Sequence, residues 1–76
     1  MWKYWRRYGG NDAMVDGYLR RDGRVTEIYD PSTRSWAATN GAYLDRVIAQ
    51  GDPMYEPVTE RVATAGVADL TATTTL

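Results

Sequence analysis

The side chains with the most chemical potential in this 76-residue chain are its eight arginines, three tryptophans and six tyrosines. They crowd toward one end. Trp2, Lys3, Tyr4, Trp5, Arg6, Arg7 and Tyr8 interleave cations with flat rings, and Arg20, Arg21, Arg24 and Arg34 form a second group. Such a mixture suits two kinds of recognition. Tyr, Trp and Arg are enriched where proteins bind proteins, and rings beside cations stack single-stranded bases while neutralising phosphate. Trp2, Tyr4, Trp5, Arg7, Arg20, Arg21 and Arg24 are therefore the candidate binding residues.

Catalysis has less to work with. The chain has no histidine, so it lacks the commonest general base and metal ligand, and no cysteine, so it has neither a thiolate nucleophile nor a disulfide. Asp12, Asp16 and Asp22 could form a carboxylate pair or a Ca²⁺ site, but Asp12-x-x-x-Asp16 lacks the oxygen-ligand density of a calcium loop. Gly9-Gly10 lacks the spacing and the following helix of a phosphate loop. No catalytic or metal-ligating residue and no cofactor is expected.

The net charge of −1 hides an uneven distribution. Residues 1–36 hold seven Lys/Arg and five Asp/Glu, whereas residues 37–76 hold two and five. Eight of the nine aromatic residues precede Leu44. A basic, aromatic half is thus followed by an acidic, Ala/Thr-rich half, a bias of the kind GC-rich genomes encode. Nucleic-acid-binding domains usually carry a strong basic excess, which is absent here. The expected function is accordingly a small non-enzymatic protein-binding module, an adaptor, a regulator or a phage-type inhibitor of a larger partner. Nucleic-acid binding by the same Arg and aromatic residues is the alternative. An aromatic first strand at a sheet edge could also pair with its symmetry mate, so a homodimer through the N-terminal strand is a further expectation. No apolar run approaches the roughly 18 residues of a membrane span and no apolar segment follows the basic N-terminus, so no membrane association and a cytoplasmic location are expected.

These residues must be positioned by local elements. Met1–Tyr8 alternates as a strand, with Trp2, Tyr4 and Tyr8 on one face and Lys3, Trp5 and Arg7 on the other. Ala13–Arg20 and Arg24–Asp30 flank Asp22-Gly23 as a β-hairpin. A three-residue loop, Arg21-Asp22-Gly23, pairs Leu19 with Val25 and Val15 with Tyr29, gathering Val15, Leu19, Val25 and Tyr29 on one apolar face. Asp30-Pro31 opens a turn and Ser35–Thr39 is a short strand. Asn40 caps a helix through Gln50, with the stripe Tyr43/Val47 and Leu44/Ile48, closed by Gly51 and stopped by Pro53. Pro57 suits the first turn of a second, short helix ending near Gly66, from which Val58, Val62 and Ala65 would face the core. The expected fold class is α+β: an antiparallel β-meander of three to four strands packed by one helix, with room for a second short one. Residues 1–66 form the single domain and 67–76 a flexible C-terminal tail.

The stretch Gly23–Asp30, followed by Ser32-Thr33-Arg34 and Trp36, resembles the second hairpin of a WW domain, with Tyr18 at the place of that family's first Trp. The resemblance spans about twenty residues and implies a three-strand meander. No histidine lies in the loop, the loop to Trp36 is short, and no proline follows that Trp. Proline-peptide binding is therefore not implied.

Overall fold

Alternating side chains, two turns and a capped helix resolve, in the computed structural model, into one sheet lying between two helices. Residues 1–9, 14–51 and 54–75 are described. In chain order the elements are β1 (Lys3–Gly9), β2 (Met14–Asp22), β3 (Val25–Asp30), β4 (Ser35–Ala38), α1 (Gly41–Gln50), β5 (Tyr55–Val58) and α2 (Glu60–Thr75). The five strands run in the order β4-β3-β2-β1-β5, with every neighbouring pair antiparallel. The class is α+β, as expected, with a fifth strand beyond the three to four expected and a second helix that is long rather than short.

The first strand follows its alternation. Tyr4 is buried on the face that α2 covers, where Tyr4, Tyr18, Tyr29 and Ala63 form a core edged by Trp2, Val15, Trp36, Val58, Val67 and Leu70. The opposite face is covered by α1, whose Leu44 and Val47 are buried, as are Leu19 and Thr26 beneath them on the sheet side. The Asn40 cap forms as expected: its side chain accepts a hydrogen bond from the Ala42 N–H at 3.0 Å. Gly51 closes the helix in the left-handed conformation (φ 64°). The buried stripe is Leu44/Val47, one turn apart. Ile48 is exposed, while Tyr43's side chain and Pro53 lie outside the described residues.

Three expectations are corrected. The hairpin register is neither a three-residue loop nor an Asp22-Gly23 turn, because Asp22 pairs with Val25, Arg20 with Glu27 and Leu19 with Ile28. The two-residue turn is Gly23-Arg24. Gly23, at φ 59°, occupies the first turn position, where a hairpin of this type demands a positive φ. A single apolar face of Val15, Leu19, Val25 and Tyr29 would suit a sheet buried on one side only. Here both faces are covered, so Leu19 is buried on the α1 side, Val15 and Tyr29 pack on the α2 side, and Val25 is exposed.

The second correction concerns residues 55–58, which form strand β5 rather than a helix start. Proline is as well suited to a sheet edge as to a first helical turn. The helix begins one residue after Thr59, whose hydroxyl accepts from the Val62 N–H at 3.2 Å. Its buried residue is Ala63, and Ala65 is exposed.

Third, α2 does not stop at Gly66. Val67, Leu70 and Thr71 carry it onward along the sheet, where Thr71 Oγ1 and the Tyr29 hydroxyl lie 2.6 Å apart. Residues 67–75, expected in the tail, thus continue α2; Ala72 is exposed and Leu76 lies outside the described residues. The three-strand meander implied by the WW-like stretch is present as β2-β3-β4, set within the five-stranded sheet, where Tyr18 lies buried beneath α2.

Candidate functional site

Alternation divides the expected binding residues between the two faces. Trp2, Tyr4 and Arg20 belong to the α2 face. Arg20, half-buried, lies with its guanidinium carbon 4.1 Å from the ring centroid of Trp2 and 4.4 Å from that of Trp36. The same guanidinium donates to the Glu27 carboxylate at 2.6 and 2.8 Å, from the residue directly opposite on β3. Trp36 in turn meets Tyr29 and Tyr4 edge-on, with centroids 5.4 and 6.1 Å apart. A cation between two indoles with a carboxylate in its plane is neutralised and stacked at once. Arg20 thus organises the aromatic core at the β4 end. The residue reasoned from sequence as a binding cation is tied to its own sheet.

Trp5, Arg7 and Arg21 fall on the α1 face. Arg21 pairs with Asp45 of α1, tethering that helix to β2. The hydrogen bond from Arg21 holds the Asp45 carboxyl below the usual carboxylate range. Arg7 reaches Asp16 at 2.7 Å. That carboxylate is available because the β1–β2 register slips at Arg7/Tyr8 and leaves Asp16 without a partner across the ladder. Trp5 stands between Leu19 of β2 and Pro57 of β5, half-buried, with exposed Lys3 two residues before it and Pro57 exposed. Arg24 is exposed in the hairpin turn.

The carboxylates considered for chemistry are not brought together. Asp16 and Asp22 stand at opposite ends of β2, roughly 20 Å apart by strand rise, and Asp12 lies outside the described residues. Among the described residues no group of three or more acidic, His or Cys side chains is arranged to hold a metal ion. No helix among them is long and apolar enough to cross a membrane.

Arg6, part of the N-terminal patch but not among the expected binding residues, also forms contacts of its own. It shares its face with Tyr18 and Tyr8, and donates to Glu56 of β5 at 3.4 Å and to the Tyr8 hydroxyl at 3.3 Å. The Tyr8 hydroxyl itself donates to Glu56 at 3.1 Å. The hydrogen bond with Tyr8 leads in raising the Arg6 guanidinium above its ordinary value, against burial. Arg6 and Val62 of α2 both line two open grooves of about 460 and 440 Å³. Its pairing to Glu56 was not legible from spacing, because fifty residues separate the two.

The fold and these side chains define a small α+β protein whose sheet carries a helix on each face and four of whose eight arginines face carboxylates of the same chain. No protein-family model matches the chain, and comparison with curated proteins and with solved structures finds no match.

Proposed function

We propose that this protein is a small non-enzymatic protein-binding module, an adaptor, regulator or inhibitor of a larger partner, that docks through the α1-side surface of β1 and β5. The placement of Trp5 carries the reading. It is the one indole of the three not stacked on Arg20, and it sits half-buried between Leu19 and exposed Pro57, with Lys3 and Arg7 along the strand. A partly covered indole offers large apolar area at small entropic cost, flanked by groups that can form a polar rim. The nucleic-acid alternative draws less support, because Arg7, Arg20 and Arg21 each face a carboxylate and present little net charge to phosphate.

The test is capture from a native lysate by wild type, Trp5→Ala and Arg24→Ala, with circular dichroism confirming that each folds. Salt-tolerant capture of one protein, lost with Trp5→Ala and kept with Arg24→Ala, is the expected result. Oligonucleotide binding that weakens steeply with salt, through counterion release, and is lost with Arg24→Ala would refute the reading.

A further inference from the structure

The two edges of the sheet are built differently. On β5, the Tyr8 N–H donates to the Met54 carbonyl at 2.8 Å. With Arg6 opposite Glu56 and Tyr4 opposite Val58, the alternation of an antiparallel ladder turns the backbone groups of residues 55 and 57 outward. Position 57 is a proline, so this edge lacks an N–H where a further strand would need one. On β4, the Thr39 N–H donates to the Thr26 carbonyl at 2.9 Å. With Ile28 opposite Ala37 and Asp30 opposite Ser35, the same alternation turns the N–H and C=O of Trp36 and Ala38 outward. This edge carries no proline, no charge and no bulge; its exposed side chains are Ser35, Ala37 and Ala38, followed by Thr39. Apart from its four-residue length, the devices that normally blunt an edge are missing. Nor does a helix overhang it: α1 starts at Gly41 against Thr26 of β3 and reaches Arg21 of β2 at Asp45, leading away from β4.

We propose that β4 pairs with β4 of a second copy of this chain, joining two sheets into one of ten strands about a two-fold axis at Ala37. The β4 sequence is complementary to itself in one register. Setting Trp36 opposite Ala38 of the second copy uses every outward group, exchanging four backbone hydrogen bonds. It seats each indole beside a methyl group, and brings only Ala37 on Ala37 and Ser35 on Thr39 together on the other face. Sliding either way fails. One slide sets Trp36 directly against Trp36 and brings in Arg34, whose φ of 57° is not that of a strand; the other draws in Asn40, which is occupied as the α1 cap. No charged side chain lies within the paired segment, so no repulsion opposes a second copy there. Four-residue strands bury well under the roughly 1,200 Å² of a stable interface, so the dimer is reversible and concentration-dependent.

Sedimentation velocity over a concentration series tests this with wild type, Ala38→Pro and Ala37→Lys. Ala38→Pro deletes an outward N–H that no acceptor among the described residues uses, and Ala37→Lys sets two ammonium groups against each other on the axis. Wild type should move from monomer to dimer, with both variants weakened by roughly tenfold or more and their circular dichroism unchanged. Should Ala38→Pro perturb the fold, Ala37→Lys, a change at an exposed side chain, still decides. A wild type that stays monomeric at its highest soluble concentration overturns the proposal, as do variants that dimerise like wild type. So does a monomer whose β4 captures a different protein, with capture lost in Ala38→Pro.

Discussion

Replacing Gly66 by alanine measures how closely α2 lies on the sheet. A Cβ at position 66 would sit 2.9 Å from Cε1 of Tyr18, and closer still to Cζ and the hydroxyl oxygen. Ordinary contact begins near 3.4 Å, so the helix or the ring must shift by roughly an ångström or more. The ring has little freedom to do so, because Tyr18 is only 3% exposed and packs with Tyr4, Tyr29 and Ala63. In an exposed helix the same substitution would stabilise by about 1 kcal/mol. Forcing extra volume into a packed core costs about 1–3 kcal/mol, occasionally more. At the upper end of that range the net loss is about 2 kcal/mol, which for a domain this size lowers Tm by roughly 8–16 °C. Urea unfolding followed by tryptophan fluorescence reads the difference. Ala68→Gly, at an exposed position of the same helix, calibrates the propensity part at about 1 kcal/mol. A Gly66→Ala variant as stable as wild type, or more stable, would show that α2 does not rest on Tyr18 and refute the packing described above.

Three further outcomes follow from particular contacts. Arg20→Ala removes a cation stacked between Trp2 and Trp36 and leaves the Glu27 carboxylate without that partner; a loss of about 2–3 kcal/mol is expected in urea unfolding. Arg20→Lys should recover less than half of it, because an ammonium lacks the planar fork. Thr26→Val should stabilise by about 1 kcal/mol in the same assay, since the Thr26 hydroxyl oxygen is buried without a hydrogen-bond partner among the described residues and valine has the same shape. Asp45 has a lower pKa folded than unfolded because Arg21 donates to it, so its contribution to stability is present above the ordinary carboxylate value near 4 and fades as pH falls through the folded value. A carboxyl-carbon NMR titration should therefore place the Asp45 midpoint below that range, and Arg21→Ala should return it upward; no movement would show that the pair does not form in solution.

How much of this was legible depends on the range of each interaction. The strand Lys3–Gly9, the existence of a hairpin near Gly23, the Asp30 turn and the capped α1 all rest on residues within a few positions of one another. Asp30 Oδ1, for instance, accepts from the Ser32 N–H at 2.9 Å. Alternation, turn residues and caps act over such distances, and they were readable. The strand pairing was not. The chain returns after α1 to the far side of β1, so the N-terminal strand lies between β2 and β5. The edge through which it was expected to join a symmetry mate is taken by β5. Nothing within β1 could announce this, because its neighbour lies some fifty residues away in sequence.

The binding residues divide along the same line. Composition alone determined that the chain would be rich in Trp, Tyr and Arg, without histidine or cysteine, and strand alternation determined that Trp5 and Arg7 would share a face opposite Trp2 and Tyr4. Only the tertiary structure decided which rings remain partly open and which arginines are engaged. A guanidinium is a binding group or a structural one according to what faces it. Glu27, Asp45 and Asp16 come to face Arg20, Arg21 and Arg7 through strand register, helix docking and a bulge. Those are settled by packing both faces of the sheet at once, a condition no single segment of the sequence contains.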